Sequence, residues 1–315
     1  MDVVALGELL IDFTCLQTDE AGYPTMAAHP GGAPANFLAA LSRFGAETAF
    51  LGKVGSDAFG NMLTATLQGA GIETRGLIQS DDVFTTLAFV TLDETGNREF
   101  SFSRKPGADT QLRFEELDLS LIDEANVFHF GSLSLTDEPA RSTTVEAVAY
   151  ARSRGKLITY DPNLRKPLWN DLRVAREQIL WGLRQADVVK ISDEEVEFLF
   201  DLTPEAGAAH ILEHFGCKLV FVTCGAKGCY FRNKLASGFA PSLSGIKVLD
   251  TTGAGDIFGG SAIWKILRTG VSPDALTGSQ LQEITNFACT AAGLSTTRAG
   301  GISSVPSLQE VLQRL

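Results

Sequence analysis

Basic residues are in short supply: 26 Lys and Arg stand against 38 Asp and Glu, a formal net charge of −12 over 315 residues. A field of that sign repels a phosphate backbone, and no basic stripe interrupts it, so nucleic acid is not an expected partner. Long apolar runs are missing too. No window reaches the roughly 18 consecutive apolar residues of a membrane span, which predicts a soluble protein with no membrane partner. The five cysteines, at 15, 217, 224, 229 and 289, form an odd set without framework spacing. That excludes a disulfide-stapled module and suits reduced thiols. His210 and His214 lie one helical turn apart ahead of Cys217, Cys224 and Cys229, but no close Cys pair has zinc-ligand spacing, and small thiols beside an apolar run read better as buried. No Pro/Gly/Ser-rich linker divides the chain, so one large unit with a smaller appendage is expected. The opening Met1-Asp2-Val3-Val4-Ala5-Leu6-Gly7-Glu8 lacks the basic flank and apolar core of a secretion signal, which predicts a cytoplasmic location.

What the chain does have is rhythm. Hydrophobic residues make up 44% and charged residues 20%, a globular composition. Short apolar runs at 2–7, 47–54, 126–131, 156–160, 187–191 and 218–223 alternate with helical patterns at 34–44, 58–70, 138–154, 172–184, 193–200, 204–215, 255–269 and 280–293. The alternation predicts an α/β fold, a doubly wound and mainly parallel sheet with helices on both faces. Two segments, 9–30 and 83–104, break it. In the second, Thr85–Leu92 and Arg98–Phe102 flank Glu94-Thr95-Gly96-Asn97, a hairpin signal. Each segment leaves a core strand and returns before the next core helix, so together they predict a small β lid inserted in an α/β domain made of 1–8, 31–82 and 105–315. Such a lid can exclude water from a reaction.

The most informative stretch is Asp250-Thr251-Thr252-Gly253-Ala254-Gly255-Asp256, where a glycine-rich turn runs into a small-residue helix. First-turn N–H groups have no intrahelical partners, and with the positive end of the helix dipole they make an anion site suited to a transferring phosphoryl group. Asp256, in the same first turn, is placed to take a proton from an attacking hydroxyl. The bland alternative is an acidic residue that only complements the dipole. Near the other end, Gly31-Gly32-Ala33-Pro34-Ala35-Asn36 opens a helix. The paired glycines let a ligand approach the backbone, and the Asn36 amide can donate to and accept from a hydroxyl. Asp12, emerging beyond the first strand, can accept from two adjacent hydroxyls. Taken singly, Asn36 reads as a helix cap and Asp12 as a turn residue.

Together these stretches carry a resemblance. Asp250–Asp256, with the small residues at 259–262, closely resembles the second signature of the PfkB, or ribokinase-like, carbohydrate kinases; Gly31–Ala40, continuing through Gly45 to Gly55-Ser56-Asp57-Ala58-Phe59-Gly60, resembles the first. No Gly-x4-Gly-Lys-Ser/Thr loop and no protein-kinase catalytic motif occurs. The resemblance spans essentially the whole chain and implies a ribokinase-like fold and an ATP-dependent sugar kinase. It implies Asp256 as base, Gly253, Ala254 and Gly255 as anion hole, and Asp12, Gly31, Gly32 and Asn36 around the sugar; the partial alternation of apolar and polar residues in the lid adds Phe89 and Phe102 as residues expected to cover it. For the nucleotide it implies Thr223, Gly225, Lys227 and Gly228 near phosphates and ribose, and Asn286 and Cys289 beside the adenine. Where the family often has Asn-x-x-Glu around the magnesium water shell, this chain has Ser192-Asp193-Glu194-Glu195, so Glu195 keeps the acid and Ser192 replaces the amide; Lys190, just before them, is expected at the nucleotide with them. Magnesium is expected with ATP, held largely by water and phosphate. Asp250, Thr252 and the loop with Ser295, Arg298, Gly300 and Ser304 resemble a monovalent-cation site, which implies potassium. Lids of this kind pair between subunits in relatives, which implies a homodimer.

Within the family, Phe100–Asp109, His129–Leu133, Tyr160–Trp169 and Lys190–Glu195 have fructokinase character. D-fructose, giving fructose 6-phosphate, is therefore the expected acceptor. Arg104 or Arg165 can supply the cation that a keto-deoxy acid needs, which keeps 2-keto-3-deoxygluconate as an alternative beside ribose and nucleosides. For Arg165 a surface ion pair is an equally good reading. A non-catalytic binding protein on the same fold is the remaining alternative, because fold alone does not establish activity.

Overall fold

The computed structural model describes residues 1–92 and 98–315. The expected hairpin turn at Glu94-Thr95-Gly96-Asn97 lies outside the described residues. The first strand, β1 (Val3–Leu6), is buried along its whole length, as a parallel strand covered on both faces must be. It is followed by β2 (Leu10–Thr18), β3 (Pro24–Gly31), α1 (Ala33–Arg43), β4 (Thr48–Gly55), α2 (Ala58–Gly69), β5 (Ile72–Glu73), β6 (Leu77–Ser80), β7 (Leu87–Leu92) and β8 (Arg98–Ser103). The second half runs α3 (Leu119–Glu124), β9 (Val127–Gly131), α4 (Ala140–Ser153), β10 (Leu157–Asp161), α5 (Leu172–Gln185), β11 (Val188–Ser192), α6 (Asp193–Phe200), α7 (Pro204–Phe215), β12 (Leu219–Thr223), β13 (Gly228–Asn233), β14 (Ser237–Pro241), α8 (Ala254–Thr269), α9 (Gly278–Ser295) and α10 (Leu308–Leu312).

The main sheet has the order β14-β13-β12-β11-β10-β9-β1-β4-β5, with β6 also paired to β4. All pairs are parallel except β12–β13 and β13–β14. Alternate side chains divide the core in two. Val3, Ala5, Val127, Val188 and Phe221 pack with Phe37 of α1 and Ile257 and Phe287 of α8 and α9. Val4, Leu6, Phe128, Ile158 and Val220 pack with Val148, Ile179 and Ile211 of α4, α5 and α7. β1 has β4 on one side and β9 on the other, so strand order reverses there, and ligands of open α/β sheets bind beyond the carboxyl ends of the strands at such a point.

Helix ends follow local chemistry. Ser192 and Glu195 form a capping box at the start of α6; Thr203 caps α7, with Pro204 in its first turn and Gly216 in the left-handed conformation at its end. The segment around Gly225 and Lys227 is the turn of the antiparallel β12–β13 hairpin, closed by Cys224 N–H donating to Gly228 O at 2.7 Å. Among the described residues no helix is long and apolar enough to cross a membrane. None of their His, Cys, Asp and Glu side chains form a group of three able to hold a metal.

A second sheet, β3-β2-β7-β8, is built from the two segments that break the alternation. β2 and β7 run parallel, and the other pairs are antiparallel. The β2–β3 register shifts between Cys15 and Gln17, a bulge. Pleat parity assigns its faces. Asp12 pairs with Ala88, and Ala88 with Phe102, whereas Phe13 pairs with Phe89. Phe102 therefore shares the face of Asp12, and Phe89 lies on the opposite face. There its ring stacks on Phe13 at 5.3 Å, and Phe13 meets Phe59 of α2 edge-on. The expectation that Phe89 covers the sugar is thus corrected: Phe89 anchors the lid to α2.

Candidate active site

Asp256 stands in the first turn of α8, behind a turn that only glycine satisfies. Gly253 has φ 74°, and a Cβ there would lie 3.0 Å from both Asn36 Nδ2 and Gly301 Cα. No side chain caps this helix start; Ala254 N–H turns back to Thr251 O over a long 3.3 Å, which leaves the neighbouring glycine amides as donors for an anion. Asp256 is buried, and Asn36 Nδ2 donates to its Oδ2 at 2.8 Å. Burial raises its pKa, while the Lys190 ammonium, the Asn36 hydrogen bond and Arg165 oppose that shift.

Asn36 is held in place by α1, whose N-cap, Gly32, has φ 125° and is so close to Glu8 that a Cβ would collide with the Glu8 carbonyl oxygen. The amide's other atom, Oδ1, is buried with no partner among the described residues. Such an orphaned acceptor is costly unless a ligand donor meets it. Asp12 comes from β2, against Gly31. Burial pushes its pKa up to about 6; Arg165 opposes this, and Asp256 and Asp250 add to it. Three carboxylates and one guanidinium therefore converge on the space beyond β1. Arg165 is exposed and, among the described residues, makes no ion pair; it donates over a long 3.4 Å to its own loop, at the Leu164 carbonyl.

Lys190 and Asp161 form a second charged group beneath this one. Lys190 Nζ lies 2.9 Å from Asp161 Oδ2, with the two side chains only 12% and 7% exposed. Burial pushes Asp161 up to about 6 against the pull of Lys190. Burial alone would lower Lys190, but Asp161, Glu195 and Asp256 hold its ammonium above the usual lysine range.

Glu195 and Ser192 turn out to be local fasteners. Glu195 Oε1 accepts from Leu164 N–H at 2.6 Å and Oε2 from Ser192 N–H at 2.8 Å, while Ser192 Oγ accepts from Glu195 N–H. Only the remaining lone pairs face outward, which fits a metal held through water and not by direct ligation. Among the nucleotide candidates, Thr223 Oγ1 reaches Ile191 O at 3.4 Å and Lys227 is exposed. Asn286 and Cys289 share α9, which packs against β13 and β14. The Cys289 thiol lies 3.9 Å from Ala240 O and is pushed up to about 12 by burial, so it is inert at neutral pH.

Asp250 ties two loops together. Its Oδ1 accepts from Thr252 N–H and Oγ1 at 2.9 and 2.7 Å, and its Oδ2 accepts from Gly300 N–H at 2.9 Å. Ser295 and Ser304 hydroxyls donate to the carbonyls of Ala292 and Gly301. Arg298 pairs with Glu310, so it can offer a cation only its carbonyl oxygen. The donor set is oxygen throughout, as an alkali cation requires.

Arg104 does not join the site as a free cation. It is buried, paired with Asp109 at 2.6 Å, and donates to Thr136 Oγ1 at 2.7 Å and Leu133 O at 2.9 Å. Sequence reasoning overlooked Glu8, which is buried, accepts from Ala33 N–H at 2.8 Å, and is pushed up to about 7 by burial. It also overlooked Asp161 as the partner of Lys190. Both had a signal: a charged residue within or at the end of an otherwise apolar run, Glu8 between Leu6 and Leu9 and Asp161 closing β10.

The family model described as pfkB family carbohydrate kinase matches residues 1–308. Fructokinase-2 of Solanum lycopersicum is 41% identical over 318 residues, covering 99% of this chain and 95% of the relative. Among solved structures, the fructokinase of Xylella fastidiosa with bound ATP superimposes with a TM-score of 0.90 at 31% identity, covering 99% of this chain and 97% of its own. The fructokinase of Vibrio cholerae O395, in its fructose, ADP and calcium ion bound form, gives 0.86 at 30% identity and covers 100% of this chain and 99% of its own; a double mutant of it was solved with fructose, ADP and potassium ion. With two signature loops meeting through the Asn36–Asp256 hydrogen bond and a family match along nearly its whole length, the chain belongs to the PfkB family of carbohydrate kinases.

Proposed function

We propose that this family member is a fructokinase, transferring the γ-phosphoryl group of ATP to the 6-hydroxyl of D-fructose. The observation that carries the reading is the meeting of Asp256, ahead of uncapped amides, with the orphaned Oδ1 of Asn36. The hydroxyl oxygen attacks the γ-phosphorus, the bond to ADP breaks, and the hydroxyl proton passes to Asp256. Asn36 fixes the carboxylate through its amide N–H and offers Oδ1 to a sugar hydroxyl. Asp12 accepts from further hydroxyls, and the Gly253–Gly255 amides stabilise charge on the transferred group. Magnesium would be held largely through water and phosphate, with Glu195 and Ser192 as the residues of this chain nearest to hold such water, and would supply charge neutralisation. Asp250 and the 295–304 loop suit potassium, which would support the anion loop from behind.

Fructose is favoured over a keto-deoxy acid because Arg104 is fully engaged within the protein and Arg165 already faces the carboxylates of Asp12 and Asp256. The five free thiols suit a reducing, cytoplasmic setting. Coupled ADP release with fructose, ribose, 2-keto-3-deoxygluconate and adenosine tests the reading. Fructose is expected to give the highest kcat/KM, because a polar site discriminates by leaving its own buried groups unpaired with the wrong ligand. A clear preference for another acceptor overturns fructose, and no ADP release with any of them restores the binding-protein alternative.

A further inference from the structure

Lys190 is an expensive residue to place where it stands. It interrupts β11 between the buried Val188, Val189 and Ile191, and on the β12 side its partner in the register is the buried Phe221. A buried ammonium needs a carboxylate, and Asp161 at 2.9 Å meets that need. Asp161 alone does not explain the direction the side chain takes. A Cβ on Gly255 would lie 2.9 Å from Lys190 Nζ, so the ammonium is pressed against the first turn of α8. A helix N-terminus carries positive partial charge and repels a cation. The position becomes favourable only with anions on the same side. Asp256 is one; the transferred phosphoryl group would be another.

The remaining groups around Lys190 leave that role open. Glu195 comes from α6 with both oxygens already accepting backbone N–H groups. His129 comes from β9, where it bonds Thr159 Oγ1 at 2.9 Å and stacks on Phe37 at 3.7 Å; burial pushes it down to about 3, so it carries no charge. The buried Cys229 thiol of β13 is pushed up by burial and is likewise neutral. Arg165 acts on both Asp12 and Asp256, and Asp250 acts on Asp12. An ammonium has three donors, and among the described residues Lys190 uses one, to Asp161.

We propose that Lys190 is a further catalytic residue, its ammonium clamped by Asp161 and donating to the γ-phosphoryl oxygens at the Gly253–Gly255 loop, with Asp161 as its positioning residue. Lys190 gives up no proton in the step: the hydroxyl oxygen forms the new bond to phosphorus, the bond to ADP breaks, Asp256 takes the proton, and the ammonium follows the developing charge with hydrogen bonds. The same cation serves Asp256 in the resting enzyme, since it favours the ionised form that a base must have.

This rests on the kinase reading above, so the tests include one that needs no turnover. Calorimetry on Lys190→Met should show ATP binding weakened on the order of tenfold with ADP binding little changed, because the lost charge-assisted bond faces only the γ group. Equal losses for both nucleotides would overturn the proposal. In turnover, Lys190→Met should lower kcat on the order of 10²–10³-fold with sugar KM nearly unchanged, and move the acid limb of the pH profile to higher pH. Asp161→Asn should move that limb to lower pH, because the ammonium then serves Asp256 alone. Shifts of the same sign, or a Lys190→Met kcat within threefold of the parent, would make the pair merely structural. The double variant Lys190→Met/Asp161→Asn leaves no unpaired buried charge and secures the fold; it should be as slow as Lys190→Met, and a kcat restored to the parent's would also overturn the proposal. If the parent turns over no sugar, the kinase reading fails, while the ATP-against-ADP comparison still decides the place of Lys190.

Discussion

Asp256→Asn is the sharpest perturbation of the site because it changes one atom of charge chemistry and almost nothing of shape. The new amide can turn its oxygen toward Asn36 Nδ2 and keep the 2.8 Å bond that positions it. Asp12, Asn36 and the glycine amides remain, so sugar and ATP affinity should change little. What is lost is the proton acceptor. General-base catalysis contributes roughly 10²–10⁴-fold, equivalent to about 3–5 kcal/mol of barrier, and the loss should fall on kcat with KM nearly intact. The pH dependence gives a second readout. Burial raises the Asp256 pKa, and a base acts only when ionised, so parent kcat should fall as pH drops through that raised value. The variant has no such carboxylate and should lack that limb. Steady-state ADP release across pH, with calorimetry for the two substrates, measures both. A variant that keeps parental kcat, or one that keeps the acid limb at reduced rate, would refute Asp256 as the base.

Glu8→Gln tests the overlooked buried carboxyl. Its folded pKa of about 7 lies above the usual 4.5, so between those values the unfolded chain releases a proton that the folded protein keeps, and stability falls as pH rises through that window. The penalty above it is on the order of 3 kcal/mol; the glutamine can still accept from Ala33 N–H, so Tm should be higher than the parent's at pH 8 and nearly equal at pH 4.5, and equal values at pH 8 would refute it. Potassium should raise turnover over sodium at matched ionic strength, and equal rates would remove the cation site at Asp250. Light scattering should give twice the mass of one chain if lids pair between subunits, and a clean monomer would dismiss the dimer without touching the kinase chemistry.

The elements whose ends carry their own chemistry were legible to the residue. α6 and α7 match the expected 193–200 and 204–215 because Ser192, Glu195, Thr203, Pro204 and Gly216 mark their boundaries locally. Strands β13 and β14 went unread, since Gly228–Asn233 mixes buried Cys229 and Phe231 with Tyr230 and Arg232 over too few residues to state a period. The two signature loops were readable as chemistry, but their meeting through Asn36 and Asp256 spans 220 positions and needs the fold. Phe89 and Phe102 look alike in sequence; only strand register tells which face each takes. Arg104 and Lys190 show the same limit. One is silenced by Asp109, Thr136 and Leu133, and the other is directed by a neighbour on the next strand.

The strand that carries Asp12 also bears on how the roof over the sugar can move. Ile11 is fully buried and its N–H donates to Thr86 O, while Gly31, paired with Leu10 at the same end of the ribbon, abuts the cap of α1. The root of the ribbon is therefore pinned at both feet. Beyond the Cys15/Gln17 bulge the chain is exposed through Tyr23. Bending is thus confined to the distal half, like an awning whose frame is bolted to the wall. The Asp12 carboxylate stays with the wall, so in the proposed reading its grip on the sugar would be in place before any cover descends, and the outer ribbon would control how long water and product share the doorway.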